Sequence, residues 1–156
     1  MTIIDLTHPI TPDMPVYPGT EGPKLDPANT YERNGFRETL LTLYSHTGTH
    51  MDAPAHLYPD GVSLDRLPAS RFVGSAVVID CSELHEGGAI TMAHIEGQRE
   101  AVEKAEFLLF RTGWERYWGQ REYFGDYPCI GLELADSILR KREWGSTRSG
   151  SIRSRT

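Results

Sequence analysis

Apolar residues are unevenly distributed along this chain, and a regular pattern appears only after about residue 73. Two compact apolar runs of strand length follow, at residues 74–80 and 107–110. Between them Thr91 can cap a helix that runs to about Lys104. Its apolar positions are Ile95, Ala101, Val102 and Ala105. The order strand, helix, strand predicts a parallel pair of strands joined by a right-handed crossover.

A second helix is predicted at about residues 131–142. Its apolar positions recur at helical spacing and are Leu132, Ala135, Ile138 and Leu139. The alternation of strands and helices after residue 73 places the chain in the α/β class. We expect one domain, spanning residues 1–143.

The first 70 residues are dominated by loop-forming residues. Residues 3–6, Ile-Ile-Asp-Leu, predict a short strand, and residues 37–45 form a second β-prone segment. The intervening stretch is rich in proline, with Pro9, Pro12, Pro15, Pro18, Pro23 and Pro27. Because proline cannot donate to a strand ladder, this stretch is predicted to be a loop or to run along a sheet edge.

The composition is that of a globular chain, with 156 residues, 38% hydrophobic and 24% charged. No apolar run approaches the roughly 18 residues that a membrane span requires. The N-terminus has neither a basic start nor an apolar signal core, so we expect a cytoplasmic protein. Cys81 and Cys129 form no CxxC pair and are expected to be reduced, buried thiols.

Charge is distributed asymmetrically. Residues 1–139 hold 10 Lys and Arg against 21 Asp and Glu, whereas residues 140–156 hold six basic residues and one acidic residue. An acidic body repels phosphate backbones, so nucleic acid is excluded as the expected partner. The Ser/Arg-rich composition at the end of the chain predicts a disordered tail over residues 144–156.

Candidate chemistry is concentrated in His46, His50, Asp52 and His56, whose separations are all even. An extended segment would place the four side chains on one face but spread them over roughly 33 Å, too far to share an ion. Gly48 and Pro54 are the residues able to fold the segment back. We therefore predict a bent loop that brings imidazoles and a carboxylate together.

This ligand set suits Zn²⁺, with Mn²⁺ or Fe²⁺ as alternatives. A bound metal ion activates water and polarises a carbonyl group, which is the chemistry of hydrolysis, and a nearby unligated histidine would carry the proton. The alternative is a loop of uncoordinated histidines. The clustering of half of the six histidines within eleven residues argues against it, whereas His8, His85 and His94 are interpreted as ordinary surface or core residues.

Residues 46–56 resemble the cyclase-like metal-dependent hydrolases, the family that includes bacterial kynurenine formamidase. The family hallmark, His-x-Gly-Thr-His-x-Asp-x-Pro-x-His, is matched at every fixed position. The resemblance continues at residues 5–10, 17–19 and 111–114, and it covers about residues 3–140. It implies the swivelling β/β/α domain of this family, assembled into dimers or tetramers.

The resemblance also implies residue roles. His46 and His50 would bind the first metal ion, Asp52 would bridge two ions, and His56 would be the proton donor and acceptor. Tyr17 matches an aromatic residue of the substrate pocket, although packing beside Pro18 explains it equally well. The implied activity is hydrolysis of a small-molecule amide, first an aryl formamide such as N-formylkynurenine. Opening of a cyclic amide, as in isatin hydrolysis, is a close alternative.

The chain departs from the family at the second metal site, which family members complete with a further histidine and a glutamate. No histidine follows His94, and neither Glu133 nor Glu143 matches the family position. The sequence therefore predicts a domain that lacks its C-terminal part, with a half-built second site. We expect the tail to be a frameshift product rather than a natural basic extension. The alternative function is a truncated, non-catalytic chain that binds one metal ion weakly.

Overall fold

A computed structural model of the protein describes residues 2–144. The described residues form two compact units, residues 2–51 and residues 52–144. The last helix runs to Trp144, the first residue of the predicted tail. The rest of that tail, residues 145–156, and the frameshift expected there lie outside the described residues.

The first unit is built on a two-stranded antiparallel sheet. Its elements are β1 (Lys24–Asn29), α1 (Tyr31–Asn34) and β2 (Glu38–Thr42). The register of the pair is irregular between Pro27 and Asn29, as expected for a proline in an edge strand. The predictions of an edge at the proline-rich stretch and of a strand within residues 37–45 are confirmed.

The strand predicted at residues 3–6 is wrong. Residues 2–10 have no regular secondary structure, and Ile3, Ile4 and Leu6 are exposed. A strand requires a neighbouring ladder for its backbone groups, and residues 3–6 belong to none of the strand pairs of the described chain. The β-propensity of the three apolar residues is therefore not sufficient to form a strand without a partner strand.

The second unit contains two parallel strand pairs and three helices. Its elements are β3 (Ala76–Asp80), β4 (Ala89–Ile90), α2 (Met92–Glu96), α3 (Arg99–Lys104), β5 (Phe107–Arg111), β6 (Cys129–Ile130) and α4 (Leu132–Trp144). β3 pairs with β5 in parallel, from Ala76 opposite Phe107 to Asp80 opposite Arg111. β4 pairs with β6 in parallel over two residues each. The predicted α/β class and the parallel pairing of residues 74–80 with 107–110 are confirmed.

The helix predicted from Thr91 to Lys104 is divided into α2 and α3. Thr91 is the N-cap as predicted, but α2 ends at Glu96 with Gly97 as its C-cap. Glycine is a poor helix former, which explains the break. The backbone N–H of Thr91 donates to Nδ1 of His94 at 3.0 Å, and Nε2 of His94 lies 3.1 Å from Glu83 Oε1. His94 is therefore a capping residue, in agreement with its interpretation as structural.

The core of the second unit lies between β3, β4 and helices α2 to α4. Its buried members are Ile79, Cys81, Ile90, Ile95, Val102 and Leu134. The burial of Cys81 raises the pKa of its thiol and agrees with the prediction of a buried cysteine. Cys129 is exposed, so the same prediction is wrong there, because β6 is only two residues long.

The apolar face of α4 agrees with the prediction at Ile138 but differs from it at Leu132 and Leu139. Leu134 is fully buried and Ile138 packs against the core, whereas Leu132 is 88% exposed and Leu139 is exposed. At about 100° per residue, Leu132 lies on the opposite side of the helix from Leu134. The i, i+4 pair of Leu134 and Ile138 sets the buried face. None of the helices within residues 2–144 combines the length and apolar character needed to cross a membrane.

Leu134→Ala is expected to lower the free energy of unfolding by about 2–5 kcal/mol, because it leaves a cavity in the core. Leu132→Ala, in the same helix but 88% exposed, is the matched control and should change it by less than about 0.5 kcal/mol. Urea unfolding followed by circular dichroism measures both. Equal losses in the two variants would contradict this assignment of the buried face.

Candidate metal centre

The segment that carries the histidines turns sharply after β2, as predicted. Residues 45–49 form a bend, and Gly48 adopts a left-handed conformation with φ +62°. A Cβ at Gly48 would lie 3.2 Å from Met14 Cε and 3.8 Å from Ile10 Cγ1. Both the backbone conformation and the close approach of Met14 favour glycine at this position.

The bend at Gly48 brings the rings of His46 and His50 together. Nδ1 of His46 lies 3.1 Å from Nε2 of His50, and the rings meet edge to face. Nδ1 of His50 donates to the carbonyl oxygen of Gly48 at 2.8 Å. A neutral His50 with its proton on Nδ1 directs the lone pair of Nε2 towards His46. This arrangement presents one nitrogen from each ring to the same small region.

Asp52 completes a group of three. One ligand atom from each of His46, His50 and Asp52 lies within 4.8 Å of the others, and His50 and Asp52 are partly buried. Tetrahedral zinc sites with bonds of about 2.0–2.2 Å place neighbouring ligand atoms about 3.3 Å apart. The 3.1 Å separation of the two ring nitrogens is close to that value, so the two histidines fit a shared metal ion, and a carboxylate oxygen of Asp52 lies within 4.8 Å of both.

Among residues 2–140, whose side chains the structure describes, this is the one group of three or more histidine, cysteine or acidic side chains arranged to hold an ion. The bridging role of Asp52 and the second ion stay predictions. The identity of the ion, Zn²⁺ with Mn²⁺ or Fe²⁺ as alternatives, is likewise a prediction from the ligand set.

The N-terminal segment supports the bend from within the first unit. The backbone N–H of His8 donates to Thr49 Oγ1 at 3.3 Å, and Thr47 is 6% exposed. Ahead of His8, the backbone N–H and the hydroxyl of Thr7 donate to Asp5 Oδ1 at 2.9 and 2.7 Å. These hydrogen bonds lower the pKa of Asp5. Residues 5–8 and the histidine loop, two of the segments that resemble the family, are thus joined by a hydrogen bond.

His56 lies outside the group of three. It is exposed and ends a short 3₁₀ turn, Pro54–His56, that Pro54 begins. Its backbone N–H donates to the carbonyl of Ala53 at 2.9 Å. Pro54 therefore turns the chain as predicted, and the proton-carrying role of His56 stays a prediction.

Tyr17 is exposed, and its carbonyl accepts a hydrogen bond from the Thr20 N–H at 2.9 Å in a tight turn. Its substrate-binding role stays a prediction.

Residues 111–114 include two side chains with local contacts. Arg111 lies 3.6 Å from Asp80. The indole N–H of Trp114 donates to the carbonyl of Tyr123 at 3.2 Å. These last two contacts stabilise the loop after β5.

Three residues around the loop were not predicted from the sequence. Ile10 and Met14 lie next to the point that a Cβ atom on Gly48 would occupy. Thr47, within the histidine motif, is buried. The proline-rich segment has no periodicity that would have marked Met14 as buried or Ile10 as a neighbour of Gly48. Of these three residues, only Thr47 could have been connected with the site from the sequence, because it lies between two candidate ligands.

The chain matches the model of a known protein family. A family model named Cyclase, described as "Putative cyclase", matches residues 4–145. The chain belongs to the cyclase family. Among curated relatives, kynurenine formamidase of Salinibacter ruber is 34% identical over 116 residues, which are 72% of this chain and 52% of that protein. Kynurenine formamidase of Bacillus thuringiensis is 33% identical over 142 residues, 88% of this chain and 63% of that protein.

Solved structures give the same relationship for the fold. Isatin hydrolase A from Ralstonia solanacearum superposes with a TM-score of 0.74 at 27% identity, covering 89% of this chain and 62% of that chain. Isatin hydrolase A from Labrenzia aggregata superposes with a TM-score of 0.73 at 27% identity, covering 89% of this chain and 63% of that one. The predicted cyclase-type α/β fold is confirmed.

This cyclase-family chain is shorter than the proteins it matches. It spans between 52% and 63% of the length of the first curated relatives. The activity of these longer relatives is therefore only proposed for this chain.

Proposed function

We propose that this cyclase-family chain is a metal-dependent hydrolase that cleaves the C–N bond of a small-molecule amide. The convergence of His46, His50 and Asp52, with ligand atoms within 4.8 Å of one another, carries the proposal. Two imidazoles and one carboxylate form a ligand set that leaves coordination positions open, which is typical of catalytic rather than structural zinc sites.

In this proposal His46, His50 and Asp52 would hold the ion, and Asp52 would also be a ligand of a second ion where one is present. A bound ion of this kind lowers the pKa of water to about 7 and polarises the substrate carbonyl. His56 follows Asp52 by four residues on the turn that Pro54 begins. It delivers a proton to the leaving nitrogen. Tyr17 contributes an aromatic surface for the substrate.

An aryl formamide such as N-formylkynurenine is the first proposed substrate. The relatives named kynurenine formamidase, at 33–34% identity, support this choice. The chain loaded with Zn²⁺ should hydrolyse N-formylkynurenine with water to kynurenine and formate, and the absorbance of kynurenine measures the reaction. No turnover by a chain shown to hold metal would leave the non-catalytic, weakly metal-binding chain as the better description.

A cyclic amide is the second candidate substrate, because the superposed structures described above are isatin hydrolases. Ring opening of isatin uses the same nucleophilic attack on an amide carbonyl. The ratio of kcat/KM for the two substrates, measured on one preparation, separates the candidates. A dimer or tetramer in the cytoplasm is proposed as the working form, and light scattering of the purified chain measures its size.

Removal of the ion is expected to abolish turnover of whichever substrate is active. After treatment with a chelator and desalting, the rate should fall to background, and Zn²⁺ or Mn²⁺ should restore it. Thermal unfolding of the chelator-treated chain serves as the control for the fold. Full activity in a chain with no metal detectable by mass spectrometry would contradict a metal-dependent mechanism.

A further inference from the structure

We propose that Gly48 is a positioning residue: its left-handed conformation aims its carbonyl at Nδ1 of His50 and so presents Nε2 of His50 to the ion. The inference rests on the proposed metal site and extends it to a residue that provides no ligand itself. It also assigns which nitrogen of each ring faces the ion. His46 would bind through Nδ1 and His50 through Nε2.

A hydrogen bond joins the ring of His50 to the backbone of Gly48. A neutral imidazole carries one proton, on Nδ1 or on Nε2, and the hydrogen bond that one nitrogen makes decides which nitrogen is left to bind a metal ion. The carbonyl of Gly48, 2.8 Å from Nδ1 of His50, fixes the proton there and leaves Nε2 with its lone pair. That nitrogen lies 3.1 Å from Nδ1 of His46. Metal-binding histidines commonly receive their orientation from such a carbonyl contact.

The backbone conformation of Gly48 sets the direction of its carbonyl. At φ +62° any residue with a Cβ is strained, and relief of that strain would rotate the Gly48 carbonyl away from His50. The contact with Met14 reinforces this requirement. Met14 is 7% exposed, and its Cε would lie 3.2 Å from an added Cβ.

The N-terminal segment contacts the bend on two sides. Met14 and Ile10 lie beside Gly48, and the backbone N–H of His8 holds Thr49 through its hydroxyl at 3.3 Å. The residue whose carbonyl orients His50 is therefore fixed independently of any metal ion. Such an arrangement orients the ligand before the ion binds, which lowers the cost of binding.

The tautomer of His50 in the metal-free protein is the first test. Long-range ¹H–¹⁵N NMR correlation of the imidazole rings should show His50 with its proton on Nδ1 in the wild-type chain. In Gly48→Ala the spectrum should shift towards the Nε2-protonated form. A wild-type His50 that carries its proton on Nε2 would overturn the proposal, whatever the behaviour of the variant.

Zinc affinity, measured by competition with a chromophoric chelator, is the second test. Gly48→Ala should raise the Kd for Zn²⁺ by about 10–100-fold, the range for residues that orient a ligand. Gly35→Ala is the matched control, because Gly35 also has a left-handed φ of +77° but has nothing within 4 Å of an added Cβ. Its Kd should equal that of the wild-type chain.

The outcomes separate the two proposals. A wild-type chain that binds no Zn²⁺ would reject the metal site itself. A wild-type chain that binds Zn²⁺, with equal affinities in Gly48→Ala and Gly35→Ala, would reject the role of Gly48 alone. If Gly48→Ala does not fold, the tautomer of the wild-type His50 still decides the question.

Discussion

His50→Ala is expected to raise the Kd for Zn²⁺ by more than about 100-fold, since loss of an orienting contact alone costs 10–100-fold. The variant removes one of three candidate ligands and also the ring that meets His46 at 3.1 Å. Chelator competition measures the affinity, and mass spectrometry of the desalted protein measures the metal content. Both should fall together.

His85→Ala is the control for the loss of a histidine. His85 is exposed and lies in the second unit, outside the group of three. Its variant should bind Zn²⁺ as the wild-type chain does. Equal affinities of the His50 and His85 variants would show that the zinc is held elsewhere.

His56→Ala is expected to keep its metal and lose about 10²- to 10⁴-fold in kcat, the usual contribution of a general acid or base. His56 is exposed on the turn after Pro54 and does not belong to the group of three. Its removal should therefore leave the Kd for Zn²⁺ unchanged. Metal content and kcat are measured on the same preparation, with the substrate that the wild-type chain turns over.

The metal content and the kcat of His56→Ala have to be considered together. Loss of metal in His56→Ala would make His56 a ligand, and unchanged kcat would remove it from the mechanism. His85→Ala again serves as the control, with metal content and kcat both equal to those of the wild-type chain. Only full metal content with a reduced kcat agrees with a proton-carrying His56.

Much of the second unit could be predicted from the sequence because its signals are local. The apolar runs at residues 74–80 and 107–110 became β3 and β5, whose members Ile79 and Phe110 contribute to the core. Thr91 capped its helix as expected. Within the histidine segment, Gly48 was identified as the turning residue because few other residues accept that backbone conformation.

Other features depend on contacts that a sequence pattern does not contain. Residues 3–6 have strand propensity, but the described chain offers them no partner strand. β4 and β6 are two residues long each, too short for any periodicity. The face of α4 was placed around Leu132 instead of Leu134 because all its apolar residues look alike until the core is assembled.

The candidate site likewise combines features that the sequence predicts with features that depend on contacts in three dimensions. The residue types at positions 46, 50 and 52 predict metal chemistry, because imidazole and carboxylate groups are the ligands that zinc prefers. The use of Nε2 of His50 follows only from the hydrogen bond between its Nδ1 and the Gly48 carbonyl, and the use of Nδ1 of His46 follows from its distance of 3.1 Å to that Nε2. The approach of Met14 to Gly48 likewise appears only in three dimensions.

Anomalous diffraction at the zinc absorption edge, from crystals of the full-length chain grown with Zn²⁺, tests the central claim most directly. We expect a strong peak bounded by Nδ1 of His46, Nε2 of His50 and a carboxylate oxygen of Asp52, at bond lengths of about 2.0–2.2 Å. A zinc peak that these three side chains do not coordinate, or no peak in a zinc-saturated crystal, would contradict the claim that they form the metal centre.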